Sequence, residues 1–162
     1  MKTIVVYYSM SGNTKWAAEQ IAEILGADTL RIEPVAAYPG KGFKKFLWGG
    51  KAAVMAETPV LRRYEFDAAA YDRVIFGFPV WASNVTPPVR TFVKENKDAL
   101  RNCHKAAFAC QSGSGAEKAF GRLKEVLGIS SLEAELILID PKDKPAAENV
   151  EKIAAFCAKL GE

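Results

Sequence analysis

Residues 3–14 read TIVVYYSMSGNT, in which a mostly apolar run, 3–8, leads directly into a short polar turn, 9–14. The run is nearly continuously apolar rather than alternating, which is typical of a strand buried on both faces of a parallel sheet. From residue 14 to residue 25 the apolar positions recur with helical spacing, and Gly26 follows as a helix stop. This stretch therefore predicts a strand, a tight polar turn and a helix.

The same order of elements repeats along the chain and predicts the fold class. Strands are predicted at 3–8, 29–33, 73–79, 105–111 and 135–140, and helices at 14–25, 86–97, 115–127 and 145–160. Strict alternation of strands and helices predicts an α/β fold, a three-layer sandwich around a five-stranded, doubly wound parallel sheet. We expect one domain over residues 1–162, because this length suits a single core.

The capping residues and the connections between the predicted elements support these predictions. Thr86 is expected to cap the helix that begins with Pro87 and Pro88, and Ser114 with Glu117 forms the pattern of a capping box. The connection over 34–72 is too long for a simple crossover, so we expect it to hold a further helix at about 42–55.

Composition excludes several classes of protein. The chain is 49% hydrophobic and 25% charged, with a formal net charge of +3, which is unlike a dedicated nucleic-acid binder. No apolar run reaches the length of a membrane span, and the run at 4–8 is too short for a secretory signal. Three cysteines without a C-x-x-C pair predict reduced thiols and a cytoplasmic location. With His104 as the one histidine, a multi-histidine metal site is excluded, and no metal is expected.

In a doubly wound sheet, ligands bind beyond the carboxyl ends of the strands, where the strand order reverses. The first loop there, Ser9-Met10-Ser11-Gly12-Asn13-Thr14, is polar but uncharged and leads into a helix. Its backbone N–H groups and the helix dipole favour a phosphate group. The Walker A, G-x-G-x-x-G, receiver-domain and Cys-x5-Arg patterns are absent. The alternative is a capped turn without a ligand.

Two more loops at the same edge are unusual. The third strand continues into Val80-Trp81-Ala82-Ser83-Asn84, and the fourth into Ser112-Gly113-Ser114-Gly115. A large aromatic ring beside free backbone donors suits a flat heteroaromatic ligand. Trp81 by itself is weak evidence, since a tryptophan near a strand end commonly packs in the core.

The sequence resembles the flavodoxin-like FMN proteins, and the resemblance spans essentially the whole chain. Residues 8–14, YSMSGNT, are similar to the family's phosphate loop T/S-x-T/S-G-N-T. Residues 77–81, GFPVW, with Pro87, Pro88 and Phe92 downstream, are similar to the G-x-P-x-W…P…F segment of a bacterial flavodoxin-like branch. The fifth strand has no long insertion, which resembles the short-chain form.

The resemblance implies FMN as cofactor and assigns a binding role to three sets of residues. The phosphate set is Ser9, Met10, Ser11, Gly12, Asn13 and Thr14; the set on one side of the flavin is Pro79, Val80, Trp81, Ala82, Ser83 and Asn84; and the set at its pyrimidine edge is Gln111, Ser112, Gly113, Ser114 and Gly115. No catalytic acid or base is expected, because Cys110 is predicted to be a core thiol and His104 lies at the far end of its strand.

The resemblance favours an electron-transfer flavoprotein that serves redox partner proteins over an enzyme that converts a substrate. An alternative is an NAD(P)H-dependent FMN reductase acting on quinones or other small-molecule acceptors, and a second is a flavin-binding module without turnover. Flavodoxins that act as electron carriers are typically strongly acidic, and this chain is not. Residues 41–63 alone carry a net charge of +5, and the remainder carries −2. This segment is either a solvated loop or a basic rim that attracts an anionic partner. Its aromatic residues Phe43, Phe46 and Trp48 are candidates to cover the second flavin face; the alternative is that Phe43 and Phe46, at helical spacing with Leu47, form a buried apolar stripe.

Overall fold

The computed structural model describes residues 1–38 and 56–161. The strands are β1 Thr3–Tyr7, β2 Asp28–Arg31, β3 Arg73–Pro79, β4 His104–Gln111 and β5 Glu135–Ile139. The helices in the described ranges are α1 Asn13–Leu25, α2 Pro87–Asn96, α3 Ala116–Leu127 and α4 Ala147–Gly161, with short 3-10 helices at Ala68–Ala70 and Ala99–Asn102. The helix expected at about 42–55 lies outside the described residues.

The five strands form one parallel sheet in the order β2-β1-β3-β4-β5. From β1 the chain moves outward to β2 and then crosses back to β3 on the opposite side of β1. The order therefore reverses between β1 and β3, whose registers pair Val6 with Phe76 and Tyr7 with Gly77. The predicted α/β fold with a doubly wound sheet is confirmed, and the reversal marks the edge where a ligand should bind.

The sheet lies between two helical layers because successive strand residues point to opposite faces. On one face Val5 packs with Ile21 of α1 and Phe156 of α4. On the other face Val6 packs with residues of α2 and α3, including Phe92. This gives the expected three layers.

The two edge strands differ from the expectation of burial on both faces. The central strands β1 and β3 are almost entirely buried, whereas β2 is largely exposed and β5 alternates between buried and exposed residues. An edge strand has a neighbour on one side only, so the helical layers cover it less completely.

Helix ends confirm some sequence signals and correct others. Gly26 caps α1 in the left-handed conformation, as predicted, and Gly128 does the same at the end of α3. The predicted capping box at Ser114 is wrong, because the residue preceding α3 is Gly115 and the N–H of Ala116 donates instead to Oε1 of Gln111 at 3.0 Å. The side chain of Gln111, at the end of β4, thus caps α3 in place of the serine.

Thr86 occupies the position before α2, but its hydroxyl makes no capping bond. Pro87 and Pro88 have no N–H groups, so the N–H of Val89 is the remaining capping donor, and the buried hydroxyl of Thr86 does not bind it. Within residues 1–38 and 56–161, no helix combines the length and apolar character needed to cross a bilayer.

Candidate functional site

Three loops meet at the carboxyl ends of the central strands. The N–H of Tyr8 donates to the carbonyl of Gly77 at 3.1 Å, and the N–H of Val80 donates to the carbonyl of Cys110 at 2.8 Å. These bonds extend the ladders β1–β3 and β3–β4 by one step beyond the strands. The loops that begin after β1, β3 and β4 therefore start side by side at the point of strand reversal.

The first loop, residues 9–14, turns tightly into α1. The Oγ of Ser9 accepts a hydrogen bond from the N–H of Gly12 at 3.2 Å, and Gly12 adopts a φ of 100°, which favours glycine. The first bond into the helix runs from the N–H of Trp16 to the carbonyl of Gly12 at 3.0 Å, and no side chain caps the helix. The N–H groups of the first helical turn are thus available to an anion.

The donor set of this loop fits a phosphate monoester. It combines unpaired backbone N–H groups, the positive end of α1 and hydroxyl side chains, and residues 9–14 contain no charged side chain. A Cβ atom at Gly12 would lie 3.0 Å from Nζ of Lys142, so the glycine leaves room for this lysine side chain beside the cradle.

Thr14 and Cys110 pack together below the loop. Both are buried, Thr14 with 1% and Cys110 with 5% of its surface exposed. Burial raises the pKa of the Cys110 thiol to about 12, and a hydrogen bond with the Thr14 side chain opposes part of that rise. Cys110 is therefore a neutral, buried thiol beneath the loop, as its position in the sequence predicted.

The second loop contains a turn with two left-handed residues. Ala82 has a φ of 49° and Ser83 a φ of 57°, and the N–H of Asn84 donates to the carbonyl of Trp81 at 3.0 Å. This is the conformation of a type I′ turn, which normally requires glycine or asparagine at its centre. The chain holds a strained turn at the candidate site.

The side chain of Asn84 holds this turn in place. Its Oδ1 accepts from the N–H of Val85 at 2.9 Å and from Nη2 of Arg90 at 2.7 Å. Arg90 is 4% exposed, and burial lowers its pKa. A buried cation near the start of α2 thus anchors the loop. Sequence reasoning missed this role, although Arg90 follows Asn84 by only six residues.

Trp81 packs against two tyrosines. Its ring lies edge-on to Tyr8 and to Tyr38, with centroids 5.7 Å and 5.2 Å away. Burial raises the pKa of both phenols, to about 12 for Tyr38. Tyr38 was not predicted, whereas the aromatic residues proposed for the second flavin face, at 43, 46 and 48, lie outside the described residues. The indole of Trp81 is partly exposed, so one part of it packs on the tyrosines and another part lies at the surface of the second loop.

Hydrogen bonds hold the third loop, residues 111–115, in place. Gln111 caps α3, and the Oγ of Ser112 donates to Oδ1 of Asp140 at 2.8 Å. Between these anchors Gly113 and Ser114 are exposed. Exposed backbone donors held by fixed ends suit the hydrogen-bonding edge of a ring.

The second and third loops touch at one point. A Cβ atom on Gly115 would lie 2.6 Å from Oγ of Ser83, so only glycine allows this approach. The remaining predicted residues Met10, Pro79 and Val80 are partly buried at the bases of their loops. The predicted set is therefore gathered at one edge of the sheet.

Two functional candidates come from the β5–α4 loop, which the sequence did not single out. Lys142 and Asp143 bond to Asn13 in the first loop, at 2.8 Å and 3.1 Å through their backbone N–H groups. The polar run 140–144, DPKDK, after the fifth strand was the available signal. It leads from the same sheet edge as the other three loops.

A cavity of about 210 Å³ opens on the β2 side of the first loop. Tyr8 and Tyr38 line it together with Arg31 and Arg62. Arg31 donates to the carbonyl of Ser9 at 3.3 Å and pairs with Glu33 at 3.0 Å. The cavity lining therefore carries two cations and one carboxylate, Glu33, which is paired with Arg31.

His104 lies at the opposite end of the sheet from the loops. It begins β4 beside Arg73, and its Nδ1 is 2.6 Å from a carboxylate oxygen of Glu133. The same carboxylate accepts from the buried Arg73 at 2.7 Å. This cluster links strands and is remote from the candidate site.

Comparisons with known proteins agree with this architecture. A flavoprotein from Lactobacillus acidophilus NCFM, solved in complex with FMN, is 21% identical, with a TM-score of 0.72 over 88% of this chain and 95% of that chain. A Bacteroides eggerthii DSM 20697 protein described as a flavoprotein is 20% identical, with a TM-score of 0.77 over 99% and 98%. A flavodoxin from Streptococcus pneumoniae TIGR4 is 15% identical, with a TM-score of 0.61 over 99% and 98%.

The family model described as flavodoxin matches residues 2–153. This match includes all five strands and all three loops at the carboxyl edge of the sheet. Together with the fold, the strand reversal and the uncharged polar turn, this match shows that the chain belongs to the flavodoxin family.

Proposed function

We propose that this protein binds FMN at the carboxyl edge of its sheet and transfers electrons between partner proteins. The observation that carries the proposal is the uncharged cradle of N–H donors in residues 9–14, beside two exposed loops at the strand reversal. The phosphate would occupy this cradle. The ring system would lie against residues 79–84, with its polar edge toward 111–115.

Membership of the flavodoxin family and the FMN complex of the L. acidophilus relative support FMN as the cofactor. Bound FMN would supply the redox chemistry, because its ring accepts one or two electrons. The contribution of this chain is to bind, orient and shield that ring. Trp81 offers an aromatic surface, and the Asn84–Arg90 hydrogen bond of 2.7 Å fixes the neighbouring turn.

Neither Cys110 nor His104 is placed to act as a catalytic acid or base at the site. Burial raises the pKa of the Cys110 thiol to about 12, so it stays protonated at neutral pH. His104 begins β4 and is remote from the loops. The three cysteines are free and buried, which supports the proposed cytoplasmic location.

An anaerobic reductive titration of the FMN-loaded protein tests the proposed role. With a chemical reductant, we expect two resolved one-electron stages, seen as a long-wavelength absorption band that rises and then falls. With NADPH alone, we expect no bleaching of the flavin. A protein that carries electrons between partners has both properties.

Rapid bleaching by NADPH, followed by reoxidation with a quinone, would instead establish the reductase alternative. A protein that is colourless after purification and fails to quench the fluorescence of added FMN would contradict both redox roles. An FMN-loaded protein that neither reductant reduces would leave only a binding function without turnover.

A further inference from the structure

We propose that Lys142, in the β5–α4 loop, is the cation that binds the phosphate of FMN above residues 9–14. This inference rests on the proposed function, because it assumes that the phosphate occupies the first loop. It adds a positive charge to a cradle that otherwise consists of neutral donors. The inference depends on how the β5–α4 loop is attached, where the ammonium group lies and which groups it pairs with.

The side chain of Asn13 attaches the β5–α4 loop to the first loop. Its Oδ1 accepts hydrogen bonds from the N–H groups of Lys142 at 2.8 Å and Asp143 at 3.1 Å. Its Nδ2 donates to Oδ2 of Asp143 at 2.9 Å and to Oγ of Ser11 at 3.3 Å. Asn13 is 7% exposed, so its side of these partly buried bonds is shielded from water. The backbone of Lys142 is therefore fixed beside the cradle.

The side chain of Lys142 reaches over the glycine of the cradle. A Cβ atom built on Gly12 would lie 3.0 Å from Nζ of Lys142 and 3.3 Å from its Cδ. The ammonium group is thus placed at the start of α1, close to the N–H groups that lack intrahelical acceptors. A cation is unfavourable at the positive end of a helix, and an anion bound between them reverses that effect.

Neighbouring lysines have carboxylate partners, and Lys142 differs from them. Lys144 pairs with Asp140 at 3.1 Å, and Lys15 pairs with Glu19 at 3.7 Å. Among residues 1–38 and 56–161, no carboxylate oxygen lies within 4.0 Å of Nζ of Lys142. The nearest acid in sequence, Asp143, is directed to Asn13 instead. The charge of Lys142 remains available to a ligand.

A phosphate monoester carries a charge of about −1.5 to −2 at pH 7, so one ammonium partner adds a charge-assisted hydrogen bond. Riboflavin has the same ring system without the phosphate. Lys142 should therefore separate the two ligands, because only FMN can use its charge.

The test compares dissociation constants for FMN and riboflavin, measured by quenching of flavin fluorescence on the apoprotein. For Lys142→Met we expect the constant for FMN to rise about tenfold at low salt, equivalent to about 1.4 kcal/mol. The constant for riboflavin should stay the same, and the salt dependence of FMN binding should become weaker. Lys142→Arg should retain most of the FMN affinity.

Two further variants make the result specific. Lys144→Met is the matched control, because it removes a charge from the same loop and should leave both constants unchanged. The double variant Ser11→Ala, Thr14→Ala removes hydroxyl groups of the cradle and should weaken binding of FMN far more than binding of riboflavin. This double variant tests the location of the phosphate without removing the charge of Lys142.

A second readout is the 31P resonance of bound FMN during a pH titration. The second phosphate pKa of such esters is about 6 in water, and a nearby cation lowers it. We expect the phosphate to remain a dianion to lower pH in the wild-type complex than in the Lys142→Met complex.

The outcomes distinguish a failure of the Lys142 inference from a failure of the proposed FMN site. If Lys142→Met leaves FMN binding unchanged while the double variant weakens it selectively, Lys142 does not bind the phosphate but the cofactor site stands. An equal loss of both ligands in Lys142→Met would assign the residue a role in loop structure and overturn the inference. If the double variant also affects both ligands equally, the phosphate location itself is wrong.

Discussion

Gly77 shows how one residue links the core to the candidate site. It pairs with Tyr7 in β1 and accepts a hydrogen bond from Tyr8, just before the second loop begins. A Cβ atom at this position would lie 2.2 Å from Cζ of Phe108 on β4. Phe108 is fully buried, so its ring cannot move away without disturbing the core. In the sequence, Gly77 was part of a family-like motif, and the structure supplies a packing reason for it.

Gly77→Ala should destabilise the protein by about 1–3 kcal/mol, because the added methyl group overpacks the core. Equilibrium unfolding in urea measures the change. Gly121→Ala is the control, since this helical glycine has no atom within 4 Å of its Cβ position. The control should gain about 0.5–1 kcal/mol from helix propensity. A neutral result at Gly77 would show that the Phe108 ring has room to move.

At the scale of the element, the turn over residues 81–84 combines backbone strain with strong anchors. Ala82 and Ser83 hold left-handed backbones, and the neighbouring Asn84 is bonded to the buried Arg90. Non-glycine residues in this conformation cost about 1–2 kcal/mol each. Such strain persists only where surrounding contacts over-determine the backbone, and it commonly occurs at ligand sites.

Ala82→Gly should raise the free energy of unfolding by about 0.5–1 kcal/mol, because glycine adopts this conformation without a steric penalty. The matched control is Ala154→Gly, an exposed site within α4, where the same substitution should cost about 1 kcal/mol. Thermal unfolding of the apoprotein measures both. Changes of the same sign in the two variants would contradict the strained turn.

At the scale of the whole molecule, the burial of thiols and phenols makes the stability of the fold depend on pH. Burial raises the pKa of Cys110 to about 12 and of Cys157 to about 11, from a reference value of 9.0. It also raises the pKa of Tyr38 and Tyr64 to about 12, with a hydrogen bond to Glu95 contributing at Tyr64. All four groups stay neutral in the folded protein well above neutral pH.

Stability should therefore decline as the pH rises above about 9, because the unfolded chain releases thiol protons that the folded protein retains. Below this pH both states are protonated at these thiols, so they add no slope there. Urea unfolding between pH 7 and pH 11 measures the effect. The variant Cys110→Ala should show a shallower decline, and an unchanged slope would mean that its thiol does not contribute.

Charge is distributed unevenly over the molecule. Residues 41–63 carry a net charge of +5, although the whole chain carries only +3. Of this segment, Arg62 lies in the described part and lines the cavity beside the first loop. Charge reversal of Lys41, Lys44 and Lys45 to Glu should slow electron transfer to an anionic partner and weaken its salt dependence. Stopped-flow rates at several ionic strengths measure this, and an unchanged salt dependence would indicate a solvated surface loop.

Local patterns in the sequence determined most of the fold and the centre of the site. The apolar runs predicted the central strands β1, β3 and β4, because burial between two layers requires continuous apolar side chains. The edge strands β2 and β5 were also predicted to within about two residues, although they are less buried. The polar turn at 9–14 identified the cradle, since its donors come from its own backbone and the helix that follows. These features depend on neighbours in sequence, so periodicity and turn chemistry are enough to find them.

Only the tertiary structure decided which distant side chains complete the site. Asn13 bonds to Lys142, 129 residues away, because α1 and α4 cover the same face of the sheet. Gln111 replaced Ser114 as the cap of α3 because the end of β4 directs its side chain to the helix start. Tyr38 reaches Trp81 from the long connection. Such contacts depend on strand order and layer packing, which place residues side by side without leaving a local pattern in the chain.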